Sequence, residues 1–171
     1  MLKLEFGCGD RPRKHHEGYL GVDVRATPYV KFVCNAWEIP EHTKPNTVGE
    51  IYSRHFFEHL TYEQTFVTLK AWSKVLIPGG LLEMIVPDMD WHVQEWLDGD
   101  YEAARGGFWG WQREGMTENW DVHKMGYNHE YLKLILETEN FTDVVRKPTD
   151  DTVWRSDNHP RHLWITCYNA R

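Results

Sequence analysis

Alternating and clustered apolar positions divide the chain into strands and helices in a regular order. Leu2-Lys3-Leu4-Glu5-Phe6 alternates apolar and polar residues, the period of a strand, and ends at the turn Gly7-Cys8-Gly9. Tyr19–Val24, Tyr29–Cys34 and Gly49–Ser53 read as three further strands. Thr61-Tyr62-Glu63-Gln64 has the capping-box form. Behind it Tyr62, Phe66, Leu69, Ser73 and Leu76 recur at helical spacing, with Ser73 the weak member. Pro78-Gly79-Gly80 is expected to stop that helix. Leu81–Val86 hardly alternates, as expected of a strand covered on both faces. Asn128 can cap a helix from His129 to Glu139, and Phe141–Lys147 and His162–Tyr168 read as two closing strands. Asp10 can also cap a helix, but the strand at Tyr19 leaves room for only a turn or two. The strand–helix–strand order predicts an α/β fold with a largely parallel sheet. A single domain is expected over residues 1–171, with Pro45–Val48 and Pro148–Pro160 as loops.

Charge and composition narrow the partners. Lys+Arg is 19 against 26 Asp+Glu, a net charge of −7. Nucleic acids and anionic membranes both need a basic footprint, so neither is an expected partner. No apolar run approaches the ~18 residues of a membrane span. Residues 1–9 lack the apolar stretch of a signal peptide. Cys8, Cys34 and Cys167 are odd in number and far apart, which excludes a disulfide framework or a CxxC metal knuckle and fits a cytoplasmic setting. Of nine tryptophans, five (Trp91, Trp96, Trp109, Trp111, Trp120) fall between Asp88 and Met125, mixed with Gly106, Gly107, Gly110 and Gly115. A small core does not need so many. Aromatic faces beside polar groups suit sugar rings or flat acceptors, so residues 88–126 are expected to form an acceptor site over the carboxyl edge of the sheet.

The glycine turn after the first strand sits where open α/β sheets bind ligands. Asp23, at the end of the second strand, can accept hydrogen bonds from both hydroxyls of a ribose. After Gly7-Cys8-Gly9 come Asp10, Arg11 and Pro12, so the third glycine of GxGxxG is missing. The helix behind the turn is also very short, and a dinucleotide needs its N-terminus to hold the pyrophosphate. S-adenosylmethionine has no phosphate and needs only an acid for the ribose, groups for its amino-acid end and a slot for adenine. Asn35-Ala36-Trp37 fits the slot, Asn35 at the adenine edge and Trp37 on its face, although Trp37 reads equally as a packing aromatic.

With these residues the chain resembles the class I S-adenosylmethionine-dependent methyltransferases. Within them it is similar to the small type-11 members associated with glycan and cell-surface polysaccharide gene clusters. The resemblance runs through LEFGCG, YLGVDV, CNAWEIP, SRHFFEHL, VLIPGGLLEMIVPD and HKMGYNHEYLKLILETENFTDV, in order and over nearly the whole chain. It implies a Rossmann-like fold of seven mostly parallel strands, the last antiparallel, with helices on both faces and a reduced N-terminus. It also implies Glu5 facing the cofactor's amino group, and Gly7, Cys8 and Gly9 along its methionine and ribose. Asp23 would take the ribose diol, with Val24 beside adenine. Asn35, Ala36 and Trp37 would bound the adenine, and His55 would lie by the methionine end. Asn140-Phe141 stands where the family has Gly-Phe, which Asn tolerates because it accepts left-handed geometry.

The expected reaction is in-line transfer of a methyl group to an oxygen of a small-molecule or saccharide-like acceptor. Asp88, His59 and His123 are the candidate general bases. Glu58-His59 reads either as a loop pair that caps the next helix or as a catalytic pair. His123 and His129, with His92 or His159, match no metal-ligand spacing, and no metal is expected. Two rivals remain: a non-catalytic binding module, and a NAD-dependent oxidoreductase. A homodimer could complete the missing cover of the cofactor site.

Overall fold

A computed structural model describes residues 1–112, 120–152 and 157–171. Its strands are β1 (Leu2–Phe6), β2 (Leu20–Asp23), β3 (Val30–Val33), β4 (Val48–Arg54), β5 (Leu76–Pro87), β6 (Phe141–Arg146) and β7 (His162–Asn169). The helices are α1 (Ile39–His42), α2 (Tyr62–Val75), α3 (Met89–Leu97), α4 (Tyr101–Trp109) and α5 (His129–Thr138). Short 3-10 turns lie at His15–Glu17, Ala36–Glu38 and Phe57–His59. The strands form one seven-stranded sheet in the order β3-β2-β1-β4-β5-β7-β6. β1 to β5 pair in parallel, and β7 runs antiparallel to both β5 and β6. This is the mostly parallel sheet with an antiparallel last strand that the sequence predicts.

The local signals explain the boundaries. Thr61 and Gln64 form the capping box of α2: Thr61 Oγ1 accepts from Gln64 N at 3.3 Å, and Gln64 Oε1 accepts from Thr61 N at 2.9 Å. Asn128 caps α5 by accepting from Tyr131 N. Asn140 takes the left-handed turn into β6 at φ 67. α2 ends at Val75, three residues before Pro78, and β5 starts at once at Leu76. The strand is therefore longer at its start than the Leu81–Val86 expected, and Pro78-Gly79-Gly80 lies within it. Its register shifts between the Val48 and Glu50 pairings, and Gly79 sits at φ 71. Ser73 earns its place on the buried face of α2 by donating to Asn169 Oδ1 at 2.9 Å. Asn169 Nδ2 in turn lies 3.1–3.2 Å from the carbonyls of Ser73, Leu76 and Ile77, so the end of β7 locks the α2–β5 junction.

The two faces of the sheet are unequal. Leu4, Phe6, Ile51, Leu82, Met84, Leu163 and Ile165 share one core with Ile39 of α1, Leu69 and Trp72 of α2, and Leu132, Ile135 and Leu136 of α5. The opposite cluster, Tyr19, Tyr52 and Ile85 with Trp164 against it, contains no helical residue. Polar pairs complete that face. Trp164 Nε1 donates to Glu83 at 2.8 Å, Tyr19 donates to Glu50, and Lys3 pairs with Glu50 at 2.8 Å. Among the described residues, no helix contributes to that cluster.

Trp72 is fully buried with its ring 4.7 Å from Phe6 and 5.9 Å from Phe57, directly beneath the glycine turn and the Phe57–His59 turn. Trp72→Ala should therefore cost about 3–5 kcal/mol of unfolding free energy in urea denaturation. A loss under 1 kcal/mol would mean that this packing does not support the two turns.

Candidate active site

The strand order reverses between β2-β1 and β4-β5, and a crevice of about 350 Å³ opens there at the carboxyl ends of the strands. Gly7 follows β1 at φ +68, with Phe56 so close that a Cβ would lie 2.6 Å from the Phe56 Cβ. Only glycine fits both the backbone and the space. Asp23 ends β2 and is buried. Its Oδ2 accepts from Gly9 N at 2.9 Å, and its Oδ1 accepts from Arg25 N at 2.9 Å and Arg25 Nε at 3.2 Å. Asn35, Ala36 and Trp37 follow β3, where Glu38 fixes Asn35 by accepting from its N and Nδ2. His55 follows β4 in the left-handed region at φ 46, held by its N–H to Ile85 O and by Nδ1 against Glu58 Oε1 at 3.2 Å. Strain of this kind persists only where neighbours over-determine it.

Seven of the ten expected cofactor residues line this crevice: Gly7, Asp23, Val24, Asn35, Ala36, Trp37 and His55. Glu5, Cys8 and Gly9 stand behind it. Glu5 is buried and accepts from Arg13 N at 2.7 Å and Lys14 N at 2.9 Å, so its carboxylate ties down the loop that replaces a helix after the glycine turn. Cys8 is buried with its Sγ against Gly21, and burial pushes its thiol up to about 12. Gly9 holds Asp23 in place through its N–H. Arg25 is a neighbour that spacing alone did not reveal.

A second, more open cavity of about 510 Å³ is walled by Met89, Val93, Trp96, Phe108, Trp109 and His123. The expected Trp-rich segment therefore divides. Trp96 and Trp109 face this groove, 40% and 47% exposed, while Trp120 lines the first crevice. Trp111 packs over Gly106, and Trp91 meets His159 edge-on. Gly115 lies outside the described residues. Lys124 borders both cavities.

The wall between the cavities is built on Glu58. Its carbonyl accepts from Lys124 N at 2.8 Å and Met125 N at 3.1 Å, clasping the segment at 122–126 onto the Phe57–His59 turn. Its side chain is 1% exposed among His55, His59 and His123. Burial opposes its charge, yet the His55 hydrogen bond and the nearby rings bring the carboxyl down to about 2. His59 Nδ1 lies 3.0 Å from Val122 O, and His123 Nδ1 lies 2.8 Å from Gly107 O. A carbonyl only accepts, so both rings carry a proton on Nδ1, and in a neutral ring the free lone pair is then on Nε2. Of the three base candidates, these two histidines reach the cavities. Asp88 lines neither. It is 1% exposed, caps α3 through Asp90 N at 3.1 Å and pairs with Arg146 at 2.6 Å. An acid at a strand end and an acid at a helix start read alike in sequence, and here the cap and the ion pair take both oxygens.

No family model matches the chain, and no curated protein does. Solved structures do. A SAM-dependent methyltransferase from Archaeoglobus fulgidus superposes with a TM-score of 0.68 at 17% identity, covering 98% of this chain and 85% of that one. A possible histamine N-methyltransferase from Thermotoga maritima gives 0.64 at 11%, covering 98% and 82%. The 1,6-didemethyltoxoflavin-N1-methyltransferase of Burkholderia thailandensis, solved with S-adenosylhomocysteine, gives 0.63 at 14%, covering 99% and 71%. The fold is thus the Rossmann-like fold of SAM-dependent methyltransferases. At these identities the likeness extends to the fold alone.

His162 lies behind His55, ring centroids 4.8 Å apart. Burial, then His55, Arg161 and Arg54, pushes it from 6.5 down to about 3. Below pH 6.5 the unfolded chain therefore takes up a proton that the fold refuses, and stability is lost as pH falls from 6.5 toward 3. His162→Gln should flatten the urea midpoint against pH in that window. An unchanged acid slope would show that His162 protonates freely in the fold.

Proposed function

We propose that this protein is a S-adenosylmethionine-dependent methyltransferase acting on an oxygen of a small-molecule or saccharide-like acceptor. The observation that carries the reading is Asp23, a buried acid at the end of β2 opening into a crevice at the switch point of the sheet. A crevice of about 350 Å³ is within the usual range for a small-molecule site. The donor set suits the ligand: a carboxylate for a ribose diol, the Asn35-Ala36-Trp37 segment for adenine, and the glycine turn for close backbone approach. Asp23 has lone pairs left beyond its three hydrogen bonds. Arg25 is the group that must yield. Its side chain is 44% exposed, so it can turn out to solvent and leave the buried Asp23 oxygen to the ligand.

When bound, the donor supplies a methyl group already activated on a sulfonium. What remains for the chain is alignment, which can supply about 7–11 kcal/mol. The groove walled by Trp96 and Trp109 supplies flat faces for an acceptor ring, with Lys124 and His123 as polar groups beside them. His59 borders the crevice and His123 the groove, so a neutral ring of either offers its Nε2 to the proton that an acceptor hydroxyl must lose. This is a different assignment from Asp88, whose oxygens are engaged. The oxidoreductase rival loses support from the loop after Gly9, whose only helical turn, His15–Glu17, buries none of its residues and offers no N-terminus for a pyrophosphate. Three buried free cysteines support a reducing, cytoplasmic setting.

Calorimetric titration with S-adenosylhomocysteine should show one site. Asp23→Ala should weaken it by about 10–100-fold, the loss of one or two charge-assisted hydrogen bonds. Arg25→Ala should strengthen it or leave it unchanged. Absence of binding at millimolar ligand, or indifference to Asp23, would sink the reading and leave a non-catalytic module. In turn, Trp96→Ala with Trp109→Ala should abolish methyl transfer while donor affinity persists. Equal loss of both would make the groove a structural feature.

A further inference from the structure

We propose that Glu58, His59 and His123 bind one divalent transition-metal ion of the zinc class, set in the wall between the crevice and the Trp-lined groove. One ligand atom from each of the three lies within 4.8 Å of the others, the one such group among the described residues. The spacing 58, 59, 123 matches no linear signature. The fold creates the cluster by clasping the 122–126 segment onto the Phe57–His59 turn.

Three details favour a metal over a network of hydrogen bonds. The Nδ1 atoms of His59 and His123 are held by the carbonyls of Val122 and Gly107 at 3.0 and 2.8 Å. That is the outer arrangement that fixes a metal-ligating imidazole with Nε2 free. His123 Nε2 stands 3.9 Å from Glu58 Oε1, too far for a hydrogen bond. Glu58 Oε2 is buried with no hydrogen-bond partner, while Oε1 meets His55. An ionised carboxylate oxygen left in this state costs free energy that a cation would recover. Two imidazole nitrogens and one carboxylate oxygen form a zinc donor set with a fourth position open. Magnesium and calcium prefer oxygen ligands throughout, so they fit poorly.

The position suggests the use. His59 lines the crevice and His123 the groove, so the ion would sit where the two cavities adjoin. There it would draw an acceptor hydroxyl and lower its pKa, so that the proton passes to solvent water while the oxygen takes the methyl group and the sulfonium leaves as the neutral thioether. The two histidines would then hold the ion instead of taking the proton. This use rests on the methyltransferase reading, whereas metal binding does not.

The test uses the full chain, stripped with a chelator and titrated with Zn²⁺ by calorimetry and with Co²⁺ by visible absorption. One ion per chain is expected, with cobalt ligand-field bands that saturate at one equivalent. His123→Gln should weaken binding more than tenfold. His59→Gln, at a half-buried position, should do the same and serves if the first variant fails to fold. Replacing the exposed His15 and His16 together should change neither stoichiometry nor affinity. No saturable site, or one that survives both His59→Gln and His123→Gln, overturns the proposal. An intact cobalt site in a protein that binds no S-adenosylhomocysteine would support the metal site and refute the methyl-donor reading instead.

Discussion

The clasp at Glu58 is the constraint on which the rest of the site depends. Its carbonyl receives two N–H groups from Lys124 and Met125, and its buried carboxylate faces three histidines. Backbone and side chain thus pull a distant segment onto the end of β4. Without that closure the crevice would lose the wall formed by Trp120, Asp121 and Lys124, and the groove would lose His123. The same contacts hold His55 in its left-handed backbone conformation. The two cavities are therefore coupled through one turn of three residues, Phe57–His59. Trp72 supports that turn from below, so core packing and site geometry are not separable here.

Much of this was legible in the chain. Strands with alternation, the Thr61–Gln64 box and the Asn128 cap are local signals, and local hydrogen bonding realises them as written. Asp23 was legible because a strand end and a glycine turn place it without reference to distant residues. Other features were not. Glu5 lies in a strand and Asp88 directly after one, positions that suit function, yet their carboxylates serve a loop and a helix start. Which backbone N–H groups an acid will meet depends on neighbours that spacing does not encode. The Glu58 cluster was hidden for a similar reason: Glu58-His59 is visible as a pair, but His123 joins it only through tertiary closure. The Trp-rich stretch announced an aromatic surface without revealing that it divides between two cavities.

The unequal faces of the sheet carry a related lesson. A run such as Leu81–Val86 says that a strand is covered, not by what. On one side the cover is α1, α2 and α5; on the other, Tyr52 and Trp164 of the sheet itself cluster with Ile85 and Tyr19, and Trp164 donates to Glu83. Glu5 belongs to this second face, and its bonds to Arg13 and Lys14 show how a loop substitutes for a helix after the glycine turn. The substitution keeps the turn in place while removing the helix N-terminus that a phosphate would need. One short segment thus both supports the turn and leaves it without a helix N-terminus.

The most direct test of the central claim is a crystal structure with S-adenosylhomocysteine. The account predicts ribose hydroxyls within hydrogen-bond distance of Asp23, Arg25 displaced, and the sulfur directed toward the wall at Glu58, His59 and His123. A ligand bound elsewhere, with the Asp23–Arg25 pair intact, would contradict it.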